Sequence, residues 1–220
     1  MRRYGEVLRV PQVGALVFAT LLARFPIGIN ALAVVLYLRE STGSFAVAGA
    51  VAGSLAAGSG IGAPVQGRLV DRFGQRRVLV PLAFLHAVAL GALVLAGESA
   101  APTALLVLCG VVAGFAIPPT SSVLRSMWPS LLRDRPELVQ PAYALDSVMI
   151  ELIFILGPLL TGLITAVVSP QAALIVSAVS VIVGTLTFTA LPAFADASGA
   201  RELAGVLLAV WSLGSAPGDE

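Results

Sequence analysis

Few side chains in this sequence can do chemistry, and most of those that can are charges set in apolar surroundings. There is one histidine, His86, and one cysteine, Cys109, and all 13 basic residues are arginine. A lone cysteine and a lone histidine exclude an intrachain disulfide framework and a Cys- or His-built metal centre, and no cofactor is expected. A serine nucleophile would need Ser59, in Gly58-Ser59-Gly60, to meet His86 as its base. That match is superficial, so no catalytic residue is assigned and an intramembrane enzyme stays a remote alternative. What remains is a set of polar and ionisable groups inside apolar runs: Arg24 with Asn30 close behind it, then Asp146 and Glu151. A charge left in lipid costs at least about 2.5 kcal/mol, so each of these marks a pairing within the fold or a binding or coupling site.

Arg24 is followed by Pro26 and Gly28, which are expected to loosen the helix and free backbone carbonyls near mid-bilayer, as in binding sites built on broken helices. The plainer alternative is that Arg24 neutralises Asp146 or Glu151. Asp146 lies about one turn into its run, where hydration or pairing with Arg125 would suffice. Glu151 is deeper and is placed to carry a coupling proton. Arg24, Asn30, Asp146 and Glu151 are therefore the substrate or coupling candidates. His86, between Leu85 and Ala87, reads as a packed or interhelix hydrogen-bonded residue. Cys109 reads as a small buried hydrophobe, and Trp128 as an interfacial ring.

The elements that must position these groups follow from composition. The 220 residues are 58% hydrophobic and 11% charged, with mean hydropathy +0.97. Soluble domains are roughly 45–50% apolar and about 25% charged, so a soluble enzyme, a nucleic-acid binder and a disordered chain are excluded. The fold class is an all-α polytopic membrane bundle. Six runs are long enough to cross a bilayer, at 13–38, 45–66, 78–97, 102–124, 142–168 and 171–192. A seventh, 203–216, is too short to span. The first run is too long for a signal-peptide core, so it is expected to be a retained helix. Arginines cluster at the N-terminus and in the connections after the second and fourth runs. By the positive-inside rule those ends, and both termini, are expected in the cytoplasm of a cell inner-membrane protein. Three Gly pairs, Gly49/Gly53, Gly58/Gly62 and Gly110/Gly114, have the spacing that lets helices approach closely.

The connection at 67–77 has an ordered pattern: Gly67, Asp71, Arg72, Gly74, Arg76 and Arg77 at Gly-x-x-x-Asp-Arg-x-Gly-x-Arg-Arg. Gly67 is expected to let the second span approach a neighbour, Gly74 to make the reversal, and the surrounding arginines to hold Asp71 as a carboxylate. This pattern, in this place, resembles the signature loop of the major facilitator superfamily. A second segment, Gly157-Pro158-Leu159-Leu160-Thr161-Gly162, is similar to the Gly-Pro motif of that family's drug:proton antiporter branch, with Thr161 where the first of two closing glycines would stand. The resemblance implies one six-helix half of a transporter that rocks about a midplane site. It implies proton-coupled efflux of a small-molecule substrate, and Asp71 as a conformational-switch acid meeting a helix of the other half. Many proton-coupled members carry an Arg in the fourth span; Gly110 occupies that position here.

The resemblance suggests two regions: 1–192, a six-helix bundle, and 193–220, a tail resembling a seventh/eighth helix junction. A shift of 156 superposes Gly43, Gly49, Gly58 and Gly62 on Gly199, Gly205, Gly214 and Gly218, yet five spans rather than six lie between. The expectation is a truncated or internally deleted transporter. Its partners would be the lipid bilayer, a small molecule, protons, and either a second copy in a homo-oligomer or the missing C-terminal half. A half-size remnant without transport of its own is the alternative.

Overall fold

A computed structural model of the chain describes residues 2–195. After a short α1 (Arg2–Leu8), the elements are α2 (Val13–Thr42), α3 (Phe45–Phe73), α4 (Gln75–Glu98), α5 (Thr103–Phe115), α6 (Thr120–Leu131), a 3₁₀ turn (Pro136–Leu138), α7 (Val139–Val167) and α8 (Pro170–Ala190). With α5 and α6 forming one span, six are long and apolar enough to cross a membrane. Residues 196–220, which carry most of the expected tail, lie outside the described residues.

Turn chemistry separates the helices. Gly43 ends α2 at φ 72°, and Ser44 starts α3 with its Oγ accepting from the Val47 N–H at 3.3 Å. Ser169 caps α8 in the same way, accepting from Ala172 N–H at 3.2 Å. The segment read as a loop at 67–77 is almost wholly helical: α3 continues through Asp71 and Arg72 to Phe73, and α4 begins at Gln75. Charged side chains need not end a helix where it leaves the apolar layer, and no breaker occurs before Gly74. Only Gly74, at φ 85° and ψ 155°, leaves the helical region.

The fourth span is not continuous as expected. Pro118 and Pro119 lack the N–H groups an α-helix needs, and the chain breaks between Phe115 and Thr120. Conversely, α2 is unbroken through Pro26 and Gly28. The expected loosening there is absent, because Gly28 is pressed against α7 and held in register.

Helix α2 is the organising element, packed on α8, α7 and α3, while α3 lies along α5 and α4 along α8 and α5. Glycines set the closest approaches. A Cβ on Gly62 would lie 3.1 Å from Phe115 Cα, and one on Gly114 would strike the Leu55 carbonyl, so α3 and α5 touch backbone to backbone. Gly157 faces Gly28, where a Cβ would lie 2.5 Å from the Gly28 Cα. Gly184 sits on the Ala23 backbone. By contrast Gly49, Gly53, Gly67 and Gly162 have open space beside them. The close approach expected of Gly49, Gly53 and Gly67 is not realised within this bundle, and Gly162 of the Gly-Pro segment likewise lies on a face that no other described helix covers.

Two large apolar clusters result among the described residues, beside a small third of Val78, Leu82 and Ala116. One, near the arginine-rich end, gathers Leu16, Met127, Trp128, Met149 and Phe188; the other gathers Ile29, Tyr37, Val51, Leu93 and Leu174. Trp128 belongs to the first cluster, so it keeps to the arginine-rich end, but it is fully buried by the protein rather than presented to head groups, with α6 packed against α2 and α7. Between the clusters, along α2 and α8, lies a polar layer containing Thr20, Arg24, Asn30, Ser177, Ser180 and Thr185, all buried.

Candidate functional site

The polar layer contains two separate constellations. In the first, Arg24 Nη2 on α2 contacts Asp146 Oδ1 on α7 at 2.7 Å, with the two side chains 1% and 4% exposed. Arg125 on α6 approaches the other carboxylate oxygen, Nε to Oδ2 at 3.7 Å, from a half-exposed position. Asp146 is therefore buried rather than hydrated, and it answers to both arginines. Two cations share one anion, and beyond these ion contacts none of the three guanidinium nitrogens of Arg24 has a hydrogen-bond partner among the described residues. Buried donors are nearly always paired in native folds, so the guanidinium is under-satisfied for its depth in the span.

The second constellation joins four spans. Asn30 Nδ2 lies 3.1 Å from His86 Nε2, and Ser177 Oγ donates to Asn30 Oδ1 at 2.6 Å. His86 Nδ1 is 2.6 Å from the Ala113 carbonyl. A carbonyl can only accept, so Nδ1 carries the proton, and Nε2 accepts from the Asn30 amide. Every partner is satisfied by a neutral imidazole. The residues that link α2, α4, α5 and α8 thus form a closed hydrogen-bond chain, and His86 is its hub.

Replacing His86 by leucine leaves the Asn30 amide and the Ala113 carbonyl unpaired. The expected cost is about 1–2 kcal/mol, since polar pairs in membranes gain modestly against an unfolded state that also finds partners. His86→Gln, which offers a donor and an acceptor, should recover part of it. Thermal unfolding of the purified protein in detergent checks this, and an unchanged midpoint for His86→Leu would remove the network from any structural account.

The remaining sequence-predicted residues are dispersed. Glu151 is exposed on α7, not buried, because five residues from Asp146 turns it to a different face. Asp71, Arg72, Arg76 and Arg77 are exposed at the α3–α4 corner. Among the described residues Asp71 makes no ion pair; the expected hold by its neighbours is replaced by outward-pointing side chains, with Arg72 over the Phe73 ring at 5.3 Å. Gly157 packs on Gly28, Pro158 is exposed, and Thr161 donates its hydroxyl to the Gly157 carbonyl at 2.9 Å. Ser177 was not legible in the sequence. It sits in an uncharged span like any other serine, and only the packing of α8 on α2 brings it to Asn30.

The geometry describes six spans with a charge pair and a polar hub at their centre, and a basic corner at one end. The sequence profile of the Major Facilitator Superfamily matches residues 16–213. No curated protein and no solved structure matches the chain. The matched region overlaps all six spans and the charged corner between the second and third. This integral membrane protein belongs to the Major Facilitator Superfamily and is a transporter of that type.

Proposed function

We propose that the chain serves proton-coupled efflux of small amphipathic molecules across a cell inner membrane, with its arginine-rich end and both termini in the cytoplasm. The observation that carries this reading is the Arg24–Asp146 contact, a buried carboxylate ion-paired across two spans. Protonating Asp146 removes the charge that holds α7 to α2 at this level, and losing the proton restores it. A proton can thus be exchanged for a change in helix packing. The arginine bias between the two ends supports the orientation.

Six spans supply one wall of a cavity, and the reading includes a facing six-span bundle, whether a second copy of this chain or a further half. Glu151 supports that arrangement. It is exposed about midway along α7, where lipid would be a costly neighbour, so this face turns toward a cavity or a partner bundle. Asp71, exposed at the corner and without an ion pair among the described residues, is likewise placed to meet a helix of the facing bundle and act as the switch between open states. Glu151 is a second candidate for the coupling proton.

Efflux measured in proteoliposomes with an imposed pH gradient tests the proposal. Asp146→Asn keeps an acceptor for Arg24 but cannot titrate, so gradient-driven flux should fall at least about tenfold, a barrier of roughly 1.4 kcal/mol. Wild-type chain without gradient-driven flux would favour a half-size protein that does not transport. Full flux in both Asp146→Asn and Glu151→Gln would remove proton coupling through α7.

A further inference from the structure

A groove of about 320 Å³ runs between α4 and α8, lined by Ala87, Gly91, Val94 and Leu95 on one side and by residues including Leu174 and Ala178 on the other. The two helices are antiparallel here, so the groove extends from mid-span toward the arginine-poor end. Eight residues of helix at 1.5 Å each give it a length of about 12 Å. Its lining is aliphatic throughout. Small residues make the floor: Gly91 has no atom within 4 Å of where a Cβ would stand. An apolar groove lined along two antiparallel helices, with no polar side chain in its lining, suits a hydrocarbon chain better than a polar ligand.

The charge at its mouth narrows the occupant. Glu98 lies three and four residues beyond Leu95 and Val94, on the same face of α4. It is exposed and is the final residue of the helix, where the backbone dipole adds further negative potential. The adjacent end of α8 is a helix N-terminus and so positive. Arg39, which belongs to the same end of the bundle, is stacked at 4.7 Å over the Phe45 ring. An acid and a helix C-terminus beside a helix N-terminus complement a headgroup that carries both an ammonium and a phosphate.

We propose that this groove holds one acyl chain of a phosphatidylethanolamine-type lipid from the leaflet at the arginine-poor end, with the lipid ammonium against Glu98. A lipid gains no hydrophobic energy by moving from bilayer to groove, so its retention comes from close packing of the chain and pairing of the headgroup. That division fixes how the two contributions separate. A Cβ at Gly91 meets nothing within 4 Å, so Gly91→Leu extends its side chain into the slot and displaces the chain. Glu98→Gln leaves the slot open and removes the headgroup preference.

The test uses the full chain reconstituted in vesicles of mixed phosphatidylethanolamine and phosphatidylglycerol, extracted in mild detergent and weighed by native mass spectrometry. Wild type should retain phosphatidylethanolamine in preference to phosphatidylglycerol. Gly91→Leu should lose retention several-fold with an unchanged unfolding midpoint, and Glu98→Gln should retain both lipids equally. Retention by Gly91→Leu equal to wild type, or a wild-type chain with no headgroup preference, overturns the proposal. So does a wild-type dimer that Gly91→Leu dissociates, which would assign the groove to a second copy of the chain.

Discussion

Asp146→Leu is expected to destabilise the bundle more than Arg24→Met, although the two residues are partners in one ion pair. Removing the carboxylate leaves Arg24, 1% exposed, with no anion beside it and with Arg125 as a second nearby cation. Stripping a buried charge of its partner costs about 3–5 kcal/mol. Removing Arg24 instead leaves Asp146 with Arg125, 3.7 Å away and half in solvent, and the expected loss is about 1–3 kcal/mol. The double variant Arg24→Met/Asp146→Leu should recover most of the loss, because replacing a buried pair by apolar groups of similar volume is often near neutral. Unfolding midpoints of the four proteins in the same detergent decide the matter. If Asp146→Leu unfolds no earlier than Arg24→Met, Arg24 has another anion and the site is wrongly drawn.

The same residues show how far the sequence could be read. Hydropathy is a one-dimensional property, so six spans and the arginine bias were legible directly, and a charge in a span must find a partner. Which acid Arg24 would find was not legible. Asp146 and Glu151 are separated by five residues, about 140° around an α-helix, and only the packing of α7 on α2 turns the first inward and the second outward. The corner at 67–77 is helical for a related reason. Charges alone do not signal a loop: an α-helix leaving the bilayer accommodates Arg68, Asp71 and Arg72 without unwinding, and one glycine makes the turn. The polar hub was half legible. His86 and Asn30 stand out by type, but Ser177 and the Ala113 carbonyl have no sequence signature at all.

Glycine substitutions should divide just as sharply, and the expected division lies between residues that look alike in sequence. Gly53 and Gly58 are both on α3, each in a Gly-x-x-x-Gly pair, yet five residues separate them and they occupy opposing faces. Gly58 meets the Val111 carbonyl and has Phe115 N 3.0 Å from its Cβ position, and on the facing helix Gly114 meets the Leu55 backbone. Since the obstacle is backbone on both sides, no rotamer change can make room, and α3 and α5 must separate along their whole contact. Overpacking a core costs about 1–3 kcal/mol where side chains can shift. Gly114→Val should therefore exceed that range and leave little folded protein in the membrane fraction. Gly53→Val adds a side chain where nothing lies within 4 Å and should keep the wild-type unfolding midpoint. Any transport lost in Gly53→Val, with that midpoint preserved, would then come from a surface outside this bundle, which makes the small-residue face of α3 a readout for the facing bundle rather than for the fold. Equal damage from Gly53→Val and Gly114→Val would mean that α3 packs with its other face inward.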